Sequence, residues 1–171
     1  MTAQISDTVL HQGQRYDLLG NSLCDPRKWG MEPVMLSTAC WRGYLCAYAI
    51  VEGRLLLQEL AIRVADGHYL PVNGVLPEIE GLRAAYRGLG LALPYTGELL
   101  LGADSLPEWY EHMGYTMPHR YATVIGLILD DGRLVAVRDR SEEMAALRQR
   151  LRNGLGAVDA PKPRHPHADL G

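Results

Sequence analysis

The sequence lacks phenylalanine altogether and has only two lysines, Lys28 and Lys162, against fifteen arginines. We attribute this bias to a GC-rich, bacterial genome, so the arginine content alone does not indicate an anionic ligand. Cysteine is also scarce: Cys24, Cys40 and Cys46 are an odd number and form no CxxC pair. This pattern argues against a disulfide framework and against a zinc ribbon, and we expect the cysteines to pack in the core.

Long apolar runs are missing as well. No stretch approaches the ~18 apolar residues of a membrane span, and residues 1–9 lack the basic run and apolar segment of a signal peptide. We therefore expect a cytoplasmic protein with reduced thiols and no membrane partner. The net charge is −3. Seven basic and five acidic residues lie in 138–171, so residues 1–137 carry −5, which argues against a nucleic-acid partner.

The length of 171 residues, with 47% apolar and 22% charged residues, predicts one globular domain. We expect residues 1–14 to be loosely ordered, residues 15–153 to form the domain, and residues 154–171 to be a flexible tail. That tail holds three prolines and the pair His165 and His167. Two histidines on a flexible segment make a poor metal site, so we predict no metal there.

Two β-hairpins are the clearest local prediction, because short Gly-containing turns separate β-rich apolar runs. The first pairs Tyr44 to Val51 with Arg54 to Ile62, and the second pairs Tyr121 to Leu129 with Arg133 to Val137. The turns are alike, Glu52-Gly53 in one and Asp131-Gly132 in the other. One face of the first strand carries mostly small side chains, which favours close packing of a helix on that face.

Helices are predicted at three places. The spacing of Ile79, Leu82 and Tyr86 indicates a short or distorted helix over 78–87. Ser105 and Glu108 have the spacing of a capping box, and an apolar stripe predicts a C-terminal helix from Asp139 or Ser141 to about Arg152. Together these elements predict an α+β domain, an antiparallel sheet of short strands and hairpins with helices packed on one side and a C-terminal helix.

Motifs for nucleophilic, phosphate-binding or zinc-dependent chemistry are missing from the sequence. The remaining catalytic candidates are Glu98, Asp104, Glu111 and His112. If they converge, they could serve a small hydrolytic or metal-assisted enzyme. The simpler interpretation is a solvated helix face, so we assign no catalytic residue and no cofactor.

An aromatic group suggests recognition instead. Trp41, Arg42 and Tyr48 belong to the residue types that dominate interface hot spots. Our leading hypothesis is therefore a non-catalytic protein, immunity-type or regulatory, that binds another protein through these side chains. The enzyme is the alternative, and a small-ligand sensor, marked by an apolar cavity, is the third possibility.

Two segments carry a resemblance to known sequences. The first runs from Trp41-Arg42-Gly43-Tyr44 to Glu52-Gly53-Arg54-Leu55, and the second from Thr96-Gly97-Glu98-Leu99 to Tyr110-Glu111-His112-Met113-Gly114-Tyr115. In this order they resemble small, uncharacterised bacterial proteins with a WxGY strand, a DGxL hairpin and a YxHMGY-like segment. The resemblance spans residues 41–140 and implies one compact fold. It implies no activity.

Overall fold

Strands dominate the computed structural model, which describes residues 2–154. In chain order they are β1 (Thr8–His11), β2 (Gln14–Leu19), β3 (Tyr44–Val51), β4 (Arg54–Ile62), β5 (Glu78–Glu80), β6 (Arg83–Tyr86), β7 (Leu91–Ala92), β8 (Gly97–Ser105), β9 (Tyr121–Asp130) and β10 (Arg133–Asp139). Short 3-10 turns lie at Pro26–Trp29, Pro107–Trp109 and Pro118–Arg120. The helix α1 (Ser141–Arg152) ends the described chain.

Seven of these strands close into a β-barrel. The ring runs β4–β10–β9–β8–β2–β1–β3 and returns to β4. Every neighbouring pair is antiparallel except β1 and β3, which are parallel. The three other strands lie outside the ring, with β6 and β7 paired to β4 and β5 paired to β6. The predicted α+β class is therefore wrong, because the sheet curves onto itself instead of carrying a layer of helices.

The tips of the two predicted hairpins close the ring. Leu55 N–H donates to the Gly132 carbonyl and Leu134 N–H to the Gly53 carbonyl, both at 2.8 Å. Between them, Arg54 pairs with Arg133. The two similar turns therefore pair with each other, a non-local contact that gives no local sequence signal.

Side chains fill the barrel interior. Alternate residues of each strand point inward, and those facing the interior are almost wholly apolar or aromatic. The largest fully buried side chains include Val9, Tyr48, Leu55, Leu57, Leu60, Ile62, Leu101, Leu127 and Leu129. Tyrosine takes the core positions that phenylalanine could occupy, as Tyr48 and Tyr86 show.

Helix α1 packs on the outer surface of the barrel and confirms the predicted C-terminal helix. Its buried side chains, Met144 and Leu147, cover Leu19, Tyr121 and Val124 in a second apolar cluster. The Asp139 carboxylate accepts the Ser141 N–H at 2.9 Å, so an acidic group sits at the start of the helix.

The other two predicted helices are wrong. Residues 78–87 contain the β5–β6 hairpin, which turns at Gly81 with a φ of 65°. The region after Ser105 forms only the 3-10 turn Pro107–Trp109, without a side-chain cap.

The predicted boundaries also need correction at the N-terminus. Residues 8–11, which we expected to be loosely held, form β1 inside the ring, and both Asp7 and Val9 are buried. The predicted tail at 154–171, with His165 and His167, lies beyond the described residues except for Gly154. Within residues 2–154, no helix has the length and apolar character needed to cross a bilayer.

Candidate binding groove

A groove crosses the outer face of the barrel over β3, β4 and β6. Its floor is a row of cross-strand neighbours, in which Ala61 of β4 pairs with Leu45 of β3 and with Ala85 of β6. Ala47 extends the floor along β3. This is the small-residue face on which we expected a helix. Because α1 packs against β9 instead, the floor remains uncovered in the described structure.

Apolar side chains form the walls of the groove. Ile5 stands on one side, and Leu82, at the β5–β6 turn, stands on the other with 74% of its surface exposed. Two adjoining depressions of about 250 and 380 Å³ make up the groove, and both include Ile5, Leu45 and Arg83. We call this continuous surface the β3–β6 groove.

The Ile5 wall is held by buried polar anchors on either side. Gln4 is buried, its Oε1 accepts the Trp41 N–H at 3.0 Å, and its Nε2 donates to the Thr38 carbonyl at 3.0 Å. On the other side, the carboxylate of Asp7 reaches under β3. The segment is therefore fixed while Ile5 itself remains half exposed.

Asp7 is the centre of a buried polar cluster beneath the groove. Its Oδ1 accepts the Cys46 N–H at 2.8 Å and forms an ion pair with Arg42, and its Oδ2 accepts the Tyr48 hydroxyl at 3.3 Å. Burial raises the pKa of Asp7, while the charge of Arg42 and these hydrogen bonds oppose the shift. Sequence analysis missed Asp7, because a single aspartate between Ser6 and Thr8 matches no motif.

The same cluster extends to the cysteines. Ser22 Oγ lies 3.0 Å from the Tyr48 hydroxyl, which also accepts the Leu23 N–H at 3.0 Å. A hydrogen bond with Cys24 and burial raise the pKa of Cys46, whereas the same hydrogen bond lowers the pKa of Cys24. Cys46 therefore keeps its proton. All three cysteines are free and buried, which confirms the predicted core packing.

Paired charges line the rim of the groove. Arg83 contacts Glu80 at 3.2 Å, and Arg87 contacts Glu80 at 2.7 Å and Glu78 at 3.0 Å. Glu59 also lines the groove, so three acidic residues face two arginines and the rim carries a net charge of only −1.

The predicted aromatic surface is not assembled in the structure. Tyr48 points into the barrel with 2% exposure, and Arg42 is engaged with Asp7 and with the Tyr44 carbonyl. Only Trp41 of the three stands in solvent, with 51% of its surface exposed. The alternation of side chains along β3 explains this arrangement, because Tyr48 points to the same, inward side of the strand as Tyr44 and Cys46.

The four candidate acid/base residues engage four different partners. Glu98 forms a bidentate contact with Arg140 at 2.8 and 2.9 Å, and Asp104 accepts the Thr123 hydroxyl at 2.9 Å. Glu98 and Asp104 lie six residues apart along β8, which corresponds to roughly 20 Å.

The other two candidates lie in the loop after β8. Glu111 forms an ion pair with Arg120, and the rings of His112 and Tyr110 are perpendicular with their centroids 5.0 Å apart. Among the residues that the structure describes, no group of three or more His, Cys, Asp or Glu side chains could hold a metal ion.

The chain matches no protein-family model, no curated protein and no solved structure. The resemblance given above therefore stays a prediction.

Proposed function

We propose that the protein binds an extended segment of another protein in the β3–β6 groove. The observation that carries this proposal is a floor formed by Leu45 and the small residues Ala61 and Ala85, left open between two apolar walls. The proposal keeps the predicted protein-binding class and moves the surface away from Trp41, Arg42 and Tyr48.

The shape of the groove favours a polypeptide over a small molecule. Small-molecule sites bury most of their ligand, whereas this groove is open to solvent and continues across three strands. The small side chains of Ala47, Ala61 and Ala85 let a backbone approach the face of the sheet, and Ile5 and Leu82 offer apolar contacts to alternate side chains of an extended chain.

The paired rim charges define the chemistry of the partner. Because Arg83 and Arg87 already contact Glu80, an apolar segment without a strong charge of one sign fits best. We expect its affinity to change less than about twofold between low and moderate salt, since few uncompensated charges are screened.

The test is selection of random displayed peptides on the purified protein, followed by titration of the enriched peptides. We expect peptides with apolar residues at alternate positions. Leu82→Glu and Ile5→Glu, one on each wall, should each weaken binding at least about tenfold, or about 1.4 kcal/mol. Both positions are exposed, so the fold should tolerate the changes.

Val135→Glu is the matched control, because Val135 is 61% exposed on β10 and does not line the groove. Its peptide affinity should equal that of the unmodified protein. The proposal fails if no peptide is enriched, or if binding is indifferent to both wall variants.

We further propose that the protein acts in the cytoplasm. The buried thiols support this location, since Cys24 and Cys46 hydrogen-bond to each other as free thiols and reducing compartments preserve such pairs. Alkylation of the protein in lysed host cells, followed by mass analysis, should show all three cysteines reduced.

A further inference from the structure

A second, independent pocket lies between the barrel and the loop that follows β8. It has a volume of about 410 Å³ and is lined by Asp17 of β2, Leu106, Tyr110, Thr116, Arg120 and Tyr121 of β9, among others. Ligand pockets span about 300–1,000 Å³, so this one is sized for a small molecule. It takes no part in the β3–β6 groove.

Arg120 gives the pocket a buried positive charge. Its side chain is only 8% exposed, although its ion-pair partner Glu111 is 67% exposed on the loop. A guanidinium offers five N–H donors in a fixed plane, and the Nη2 of Arg120 lies 2.5 Å from a carboxylate oxygen of Glu111. The pairing with Glu111 shows that this guanidinium accommodates a carboxylate.

Asp17 places a negative charge in the same pocket. Its Oδ2 accepts the Tyr121 hydroxyl at 2.7 Å, and Tyr121 lies flat against Gly102, where no side chain intervenes. Burial and Asp17 raise the pKa of Tyr121 and the charge of Arg120 lowers it, and all three side chains line the pocket. Arg120 is paired with Glu111 and Asp17 accepts the Tyr121 hydroxyl, so a ligand carboxylate must take the place of the exposed Glu111 on Arg120.

We infer that this pocket binds a small zwitterion, a free amino acid or dipeptide. The ligand carboxylate would meet Arg120, its ammonium group would meet Asp17, and the hydroxyl groups of Thr116 and Tyr110 would complete the polar contacts. Leu106 lines the pocket beside them and provides an apolar surface for the ligand side chain. Charge-assisted pairs of this kind are the stronger hydrogen bonds in proteins.

The experiment is NMR titration of the full chain with L-alanine, L-leucine, L-phenylalanine and their dipeptides. The N-acetyl and C-amide derivatives of each, which lack one charge, are titrated in parallel. We expect saturable shifts at Asp17, Thr116 and Tyr121 with the zwitterions, and affinities about tenfold weaker for either derivative. Glu111→Gln should tighten binding, because it removes a competing carboxylate from an exposed position.

Asp17→Asn keeps an acceptor for the Tyr121 hydroxyl and should remove the preference for the ammonium group. If this variant does not fold, the N-acetyl derivatives test the same contact on the unmodified protein. Equal affinity for zwitterions and N-acetyl derivatives would overturn the assignment, as would weaker binding by Glu111→Gln. An absence of saturable shifts with every compound at millimolar concentration would also overturn it.

Discussion

At the scale of single residues, Asp7 links the fold to the candidate groove. The parallel contact between β1 and β3 begins at the pairing of Thr8 with Ala47, so the start of β3 has no ladder partner from β1. The Asp7 carboxylate accepts the Cys46 N–H in place of a backbone carbonyl. A buried backbone donor is satisfied in this way, and the segment carrying Ile5 is fixed beside β3.

This arrangement gives Asp7 a definite effect on pH dependence. Burial raises the pKa of Asp7 above its ordinary value of 3.8, so the folded protein holds this proton more tightly than the unfolded chain. The contribution of Asp7 to the free energy of unfolding must then fall as pH rises from about 3.8 through the folded pKa. We expect Asp7→Asn, which mimics the protonated acid, to lack this decline. Urea unfolding of both proteins across the acidic to neutral range measures it.

The comparison should show the variant gaining stability relative to the unmodified protein as pH rises. The opposite trend would mean that the charge of Arg42 outweighs the burial of the carboxylate. Ser22→Ala keeps the Asp7 carboxylate and its contact with Cys46 but removes a hydrogen bond that lowers the pKa of Asp7, so the decline should persist in this variant.

Residue types alone could not place the candidate site. Trp41, Arg42 and Tyr48 have hot-spot chemistry, but strand parity turns Tyr48 inward and Asp7, from a distant segment, engages Arg42. The groove residues Leu45 and Ala47 did carry a signal, since their face was recognised as small. What could not be predicted was that α1 would pack elsewhere and leave this face open.

At the scale of elements, the turns at Gly53 and Gly132 have similar sequences but different surroundings. Gly53 and Gly132 have nearly the same φ, 73° and 76°. A Cβ on Gly53 would meet nothing within 4 Å, whereas a Cβ on Gly132 would collide with the Leu93 carbonyl oxygen. Gly132 also donates its N–H to the Tyr95 carbonyl at 2.7 Å. The two turns therefore have the same backbone conformation, but only Gly132 is closely packed against another segment.

We expect Gly53→Ala and Gly132→Ala to separate these two effects. Gly53→Ala adds only the left-handed backbone cost of about 1–2 kcal/mol. Gly132→Ala adds the same cost and an overpacking penalty of about 1–3 kcal/mol, since the 93–95 segment must move. Denaturant unfolding of the two variants measures the difference, and equal losses would contradict the proposed crowding at Gly132.

Local sequence pattern predicted some elements closely and two helices wrongly, and the error at residues 78–87 has a clear reason. The bounds of β3 and β4 are those expected, because both turn chemistry and apolar alternation indicated them. The β5–β6 hairpin imitated a helix through the spacing of Ile79, Leu82 and Tyr86. In the structure Ile79 and Leu82 are exposed and Tyr86 is fully buried. The three side chains do not share one face, because the chain reverses at Gly81, between Ile79 and Leu82.

At the scale of the whole molecule, ring closure is the property that the sequence could not predict. The hairpins at 44–62 and 121–139 are far apart in the chain, and each is complete by itself. Closure depends on how strand twist and register accumulate around the sheet. The pattern of a few consecutive residues carries no information about the twist or the register of the whole sheet. An α+β expectation followed from counting elements; the barrel follows from where the last strand meets β4.

The strand pairs of the ring differ in how many residues they pair, and this difference predicts where the barrel opens. β8 and β9 share eight residue pairs, whereas β10 and β4 share one, supplemented by the turn bonds of Leu55 and Leu134. Local opening follows the least connected elements. We therefore expect the Leu55 and Leu134 amides to exchange hydrogen through one shared opening, with equal protection and equal denaturant dependence, both below those of the β8–β9 amides. Gly132→Ala should lower the protection of both amides together, while protection matching that of β8–β9 would mean that the barrel opens only by unfolding globally.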